Sequence, residues 1–264
     1  PQETASDNPG GKVYEFEKLI GSTLPRRVHA AWFIVEAKGG DVLTQAPLLE
    51  LYQNEIELRR VDSDGNLNPP GQPKQPYLFS EFDVDRKQPI KGIFTLADLV
   101  QETLASPPLN TDLERATDEQ VKLALHVLFR NPKTESMRRS LSIKTTTARK
   151  HTLGQEIDYW VSPAMTFAIL ADNEKFGGGS QKIGSTSDPV TKRKEHFNRK
   201  AQAILRGEQS NFGLWGMAID ASLETEDEVG TAIPFILATA IMVLVVMGIS
   251  LKSIRVVPLA ALGL

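Results

Sequence analysis

The chain has 264 residues, 30 Lys and Arg against 33 Asp and Glu, a formal net charge of −3 and no cysteine. That length can bury a full hydrophobic core, and the balanced charge supplies no basic field for nucleic acid. Without cysteine there are no disulfides, zinc–thiolate sites, iron–sulfur clusters or Cys nucleophiles, while the compartment is left open.

Residues 1–27 carry Pro9, Gly10, Gly11, Gly21 and Pro25 around a short Val13–Phe16 run, which predicts an irregular lead-in. Val28–Ala37, VHAAWFIVEA, is apolar on both faces and predicts a strand covered on both sides or lying at a subdomain junction. Lys38-Gly39-Gly40-Asp41 is a turn. Thr44–Arg60 predicts a helix, with Thr44 at the N-cap, Pro47 in the first turn and Leu48, Leu51, Tyr52, Glu55 and Ile56 at helical spacing. Asp62–Pro76 is a loop by composition. Asp62, Asp64 and Asn66 start like a calcium loop, but Leu67 and Pro73 stand where such a loop needs Gly and Glu, so an exposed turn is expected and no metal site.

Tyr77–Val84 predicts a second strand, and Thr95–Leu104 and Thr117–Phe129 predict helices with threonine N-caps; Glu119 and Gln120 lie near the capping-box place of the second. His126 has no acidic or histidine neighbour at i±4 and is expected at the surface or partly buried. Asn131–Gly154 is polar and basic and reads as a solvated helix and loop. Trp160–Ala171 predicts a third strand, with Pro163 leaving its start open to the following residue. Gly177-Gly178-Gly179 is no phosphate loop, because no Gly-Lys-Ser/Thr follows at the required place. Asp188-Pro189 starts a helix that Gly207 ends. Val190, Phe197, Ala201, Ile204 and Leu205 form its buried stripe; Lys192, Arg193, Lys194, Arg199 and Lys200, with His196, form its outer surface. Asn211–Ala221 is the last predicted strand, and Leu223–Glu228 carries four acids.

Between Val229 and Lys252 there is no charged side chain, and Ala232–Leu251, AIPFILATAIMVLVVMGISL, has only Thr239 and Ser250 as polar residues. About 20 residues at about 1.5 Å each match a hydrocarbon core of roughly 30 Å, which predicts a transmembrane helix over 230–251. Lys252 and Arg255 flank a short turn at 252–255, which the positive-inside rule places in the cytoplasm and the body outside. Residues 256–264 read as the start of a second membrane helix, and the chain as a piece of a longer one. The body, 28–229, orders its elements β-α-β, a helical insertion, then β-α-β. The expected fold class is α+β, with split-βαβ ferredoxin-like subdomains.

Phe33–Arg60, FIVEAKGGDVLTQAPLLELYQNEIELRR, resembles the opening strand and helix of the outer porter domain in RND-superfamily membrane proteins, especially MMPL/Patched-like exporters. Asn211–Leu264 resembles the end of that domain and the two membrane helices after it, with Pro258 in the second. The resemblance implies a polytopic exporter of lipids or other amphiphiles in the inner or plasma membrane, driven by protons, with this body as its outer substrate-handling domain. It implies as partners membrane lipids, the amphiphilic substrate and the rest of the same chain, leaves a homo-oligomer open, and calls for no cofactor, no metal and no nucleic acid. The acids of a proton relay would fall on a helix beyond this chain. The alternatives are a non-transporting receptor or sterol-sensing-type protein, or a protein-export accessory subunit. No Gly-x-Ser-x-Gly or His-Glu-x-x-His occurs and the four histidines are scattered, so an enzyme is not expected. Trp32, Trp160, Phe167, Phe212 and Trp215 are the candidate substrate-lining residues.

Overall fold

Along strand β1 (Val28–Ala37) the odd-numbered residues from His29 to Ala37 are buried and those between are open or half-open. This is the burial of a sheet covered on one side. In this computed structural model the described residues are 28–83, 88–142, 145–177 and 189–217, with 219, 232, 234–236, 238, 239, 242 and 243. The chain divides into two compact units, Pro1–Met217 and Ala218–Leu264. The class is mixed α+β, built from small antiparallel sheets and helices.

In the first unit β1 is central. Among the described residues seven strands run in chain order: β1, β2 (Ser80–Asp83), β3 (Gln88–Lys91), β4 (Thr146–Thr152), β5 (Gln155–Val161), β6 (Ala164–Asp172) and β7 (Phe212–Gly216). β6 and β7 flank β1, both antiparallel to it. The register sets Phe33 opposite Phe167 on the covered side, where the two rings stack at 5.6 Å.

Four helices follow: α1 (Gln45–Ser63), α2 (Leu96–Ala105), α3 (Asp118–Arg130) and α4 (Pro189–Arg206). Thr95 and Thr117 close capping boxes with Asp98 and Gln120. Thr44 holds the N-cap place of α1 without capping it, because its hydroxyl donates to the Asp41 carbonyl instead. His29, on the covered side of β1, shares a 3.0 Å hydrogen bond with Asn198 of α4, which fixes that helix over the sheet. Asn54 of α1 donates to the Leu205 carbonyl at 3.0 Å and ties the two helices together. Gly207 ends α4 at φ +50, and a Cβ there would stand 2.7 Å from the Asn54 amide, so a side chain at this position is strained. Tyr77, Phe176 and Phe197, all fully buried, fill the space near His29 with ring spacings of 4.9 to 6.0 Å.

Several expectations change. Asp62 is not in an exposed turn: its buried carboxylate accepts the Tyr77 and Leu78 N–H groups at 2.7 and 3.0 Å. Of the strand expected over Tyr77–Val84, Leu78 forms a single bridge to Ala171, closed by the Phe79 N–H to the Leu170 carbonyl and the Asp172 N–H to the Tyr77 carbonyl, and β2 covers Ser80–Asp83, while Val84 lies outside the described residues. The β2–β3 hairpin springs from the edge of β6, where Ile93 bridges Ile169. The basic stretch 131–154 is not helix and loop. It holds the 3-10 segment Glu135–Ser140 and then β4, which pairs with β5 through a turn whose residues Leu153 and Gly154 both have positive φ, at 50° and 78°. β4 is exposed on both faces from Thr146 to His151, so it carries no apolar alternation. The strand expected over Trp160–Ala171 is two strands. The Ser162 N–H donates to Asp41 and Pro163 has no N–H, which interrupts the strand along the chain and leaves β5 paired with β4 and β6 with β1. In α4, Lys194 is buried rather than at the outer surface, and Val190, His196 and Ile204 are half-buried. The last strand, β7, covers Phe212–Gly216, and Ala218, Asp220 and Ala221 of the stretch expected over Asn211–Ala221 lie outside the described residues.

In the second unit the described residues Ala232, Pro234–Ile236, Ala238, Thr239, Met242 and Val243 are helical, with Phe235, Ile236, Met242 and Val243 exposed. Among the described residues no helix is long and apolar enough to cross a membrane. The rest of the expected span at 230–251, the lead-in at 1–27, the turn at 252–255 and the run at 256–264 lie outside the described residues.

Candidate functional site

The uncovered side of the β6–β1–β7 sheet is the most distinctive surface of the first unit. Alternation along β1 sends Ala30, Trp32, Ile34 and Glu36 to this side. The register sets Trp32 opposite Ala168, Ile34 between Thr166 and Trp215, and Glu36 between Ala164 and Gly213. Met217 follows β7 and donates its N–H to the Trp32 carbonyl at 2.9 Å, extending the face by one residue. Trp32, Trp215 and Met217 are 53%, 52% and 51% exposed. Trp32 and Trp215 are diagonal neighbours across the β1–β7 pair, at the roughly 7–8 Å spacing that large rings can bridge.

Small residues frame these rings. Ala30, Ala164, Ala168 and Gly213 leave low ground around Trp32, Ile34 and Trp215. A Cβ built on Gly213 would stand 3.6 Å from the Trp215 indole Nε1, so that ring lies back along β7 toward the position opposite Glu36. The arrangement offers flat aromatic area with one carboxylate at its edge. It can hold an apolar or amphipathic molecule, or a second apolar surface.

The five lining residues expected from the sequence therefore separate. Trp32 and Trp215 both lie on the open face. Phe167 and Phe212 point into the core, 7% and 0% exposed. Trp160 belongs to β5, half-buried edge-on against Phe129 at 5.2 Å with the Arg138 guanidinium 5.6 Å over its ring. Ile34, Glu36 and Met217 share the face and escaped the sequence reading. Counting residues two apart from Trp32 finds the first two.

Other polar clusters are structural by their partners. Lys122 is fully buried, with Nζ 2.6 Å from Asp41 Oδ2 and 2.6 Å from the Trp160 carbonyl; burial lowers its pKa, and Asp41 opposes that. Glu55, also fully buried, bonds the Thr95 hydroxyl at 2.5 Å and lies beside Arg59, whose Nη2 contacts both Asp98 oxygens at 2.8 Å. Burial raises the Glu55 pKa well above the carboxylate range, and the nearby Asp98 charge adds to the rise. His126 accepts the Asp158 backbone N–H at Nδ1, 2.9 Å away, and burial lowers its pKa, so it is a neutral acceptor that anchors β5 on α3. Its acidic neighbour comes from β5, out of reach of i±4 counting. A polar groove of about 520 Å³ between α1 and the α4–β7 turn is lined by Gln45, Glu50, Asn54, Gly207, Glu208 and Asn211. Glu50 there is committed to the Ser210 and Asn211 N–H groups. Among the described residues no group of three or more His, Cys, Asp or Glu is placed to hold a metal ion.

No family model, no curated protein and no solved structure matches this chain.

Proposed function

We propose that the chain is the outer, substrate-handling domain of an RND-like membrane exporter of lipids or other amphiphiles, MMPL/Patched-like in type, continued by the transmembrane helix that follows that domain. One observation carries this reading: two half-exposed indoles and a half-exposed methionine share the sheet face that no described helix covers. A large apolar patch on the water-exposed part of a protein marks a place of contact with apolar matter.

The split-βαβ, ferredoxin-like reading goes with it. β1–α1 leads to the Leu78 bridge on the far side of β6, and β6–α4–β7 returns to the other side of β1. The resulting order, Leu78 segment, β6, β1, β7, with neighbours antiparallel, is that of two interleaved βαβ halves. The helices α2 and α3 and the β4–β5 hairpin form the insertion between them. The membrane part of the proposal rests on the uncharged stretch between Val229 and Lys252, with Phe235, Ile236 and Met242 open on the outside of helical backbone. The Thr239 hydroxyl donates to the Phe235 carbonyl at 2.8 Å, which satisfies the one described polar side chain of that helix without water.

The test is photolabelling of the chain in lipid vesicles with a diazirine-tagged fatty alcohol, followed by peptide mapping. Label is expected on β1 and β7 in addition to the apolar stretch 232–251, and the Trp32→Ala/Trp215→Ala pair should remove it from the strands alone. Label confined to 232–251, or strand label untouched by the paired change, would sink the substrate-handling reading.

A further inference from the structure

The open face ends in a carboxylate that has no ion-pair partner among the described residues. Glu36 is exposed at the end of the row Ala30–Trp32–Ile34–Glu36. Its cross-strand neighbours on that side are Ala164 and Gly213, neither of which has a polar side chain. Lys38, two residues on, gives its ammonium to the Gln209 carbonyl. Among the described residues Glu36 makes no ion pair. Beside it, the Trp215 ring lies back over Gly213, while Trp32 stands four residues away along β1, about 13 Å at strand rise.

From this geometry we infer that the face selects cationic amphiphiles, molecules with an ammonium head and an alkyl body; the inference rests on the amphiphile-handling reading above and adds the head-group. A carboxylate next to an indole face is the chemistry that recognises a quaternary or alkylated ammonium. The Trp215 quadrupole attracts the cation without demanding hydrogen bonds, and the Glu36 carboxylate supplies the counter-charge. The alkyl body then lies on Ile34, Ala168 and Met217, where alanine and glycine neighbours leave room. An anionic head placed against Trp215 would meet the Glu36 carboxylate as a like charge.

The experiment titrates the chain calorimetrically with octyltrimethylammonium and with octyl glucoside, each below its micellar concentration. The wild type should bind the cation more tightly than the neutral probe. Glu36→Gln, an exposed position whose change leaves the core alone, should weaken the cation about fivefold and leave the glucoside unchanged. Trp215→Ala should weaken both probes, the cation more. Equal affinity for the two probes in the wild type, or a Glu36→Gln chain that keeps the cation preference, overturns the cationic selectivity and leaves amphiphile binding standing. Failure of both probes to bind overturns the selectivity and the amphiphile reading together. Self-association that Trp32→Ala/Trp215→Ala abolishes, with no probe binding, assigns the face to a second copy and likewise overturns the proposal.

Discussion

Replacing Lys122 by Met tests the internal frame on which the open face is built. Lys122 is fully buried on α3, and its ammonium reaches two other parts of the unit, the Asp41 carboxylate in the turn after β1 and the Trp160 carbonyl in β5, both at 2.6 Å. Removing one member of a buried pair costs about 3–5 kcal/mol, because the other charge is stranded. Here the stranded charge keeps company. Asp41 is 18% exposed and still accepts the Leu43 and Ser162 N–H groups at 3.0 and 3.2 Å. Methionine also keeps most of the volume of the lysine stem, so the cavity contribution is small. The expected loss is therefore below the usual range, about 2–3 kcal/mol, or about 4–12 °C in melting temperature for a domain of this size. Urea unfolding followed by circular dichroism and indole emission gives the midpoint. Asp41→Asn in the Lys122→Met background should recover about half the loss, since it removes the stranded charge. A midpoint within about 0.5 kcal/mol of wild type for Lys122→Met, or strictly additive effects of the two changes, would refute this reasoning.

Glu55 gives a pH prediction. Its folded-state pKa is raised, by burial first and by the Asp98 charge second, so the folded chain binds more protons than the unfolded chain above the ordinary carboxyl range. Stability from this group is therefore full at low pH and is lost as pH rises toward the folded pKa. Glu55→Gln should abolish that slope and leave neutral-pH stability equal or higher, measured as urea midpoints across pH; an unchanged slope counts against it. Gly207→Ala should destabilise by more than about 1 kcal/mol, since φ is +50 and the Asn54 amide blocks the Cβ, whereas a thermal melt equal to wild type would contradict the account of that helix end.

What was legible in the sequence follows from where the information sits. The ends of α2, α3 and α4 are local facts: Thr95, Thr117 and Pro189 announce starts, and Gly207 announces a stop, because capping and the first-turn proline act within a turn of the chain, while Asp188 lies outside the described residues. β1 was equally plain as a strand, but its apolar residues on both sides hid which face the helices cover. That is decided by Asn198 and Phe176, more than a hundred residues away. β4 was missed because neither of its faces is buried, so no period of two is written into Thr146–His151. Asp62 was misplaced because its partners, the N–H groups of Tyr77 and Leu78, are backbone and leave no mark in side-chain pattern. Of the five aromatic candidates, sequence could not tell the two open indoles from the two core phenylalanines, since burial belongs to the sheet face and not to the residue type.

The measurement that bears most directly on the open face is quenching of its own indoles. The chain has three tryptophans, and Trp160 packs against Phe129 away from the face. Trp160→Phe therefore leaves only Trp32 and Trp215 as reporters, while Trp32→Phe/Trp215→Phe leaves only Trp160. Titration with a bromine-tagged alkyl amphiphile below its micellar concentration should quench the first chain saturably and barely dim the second. Equal quenching of the two chains, or none in the first, would contradict the claim that this sheet face receives an amphiphile.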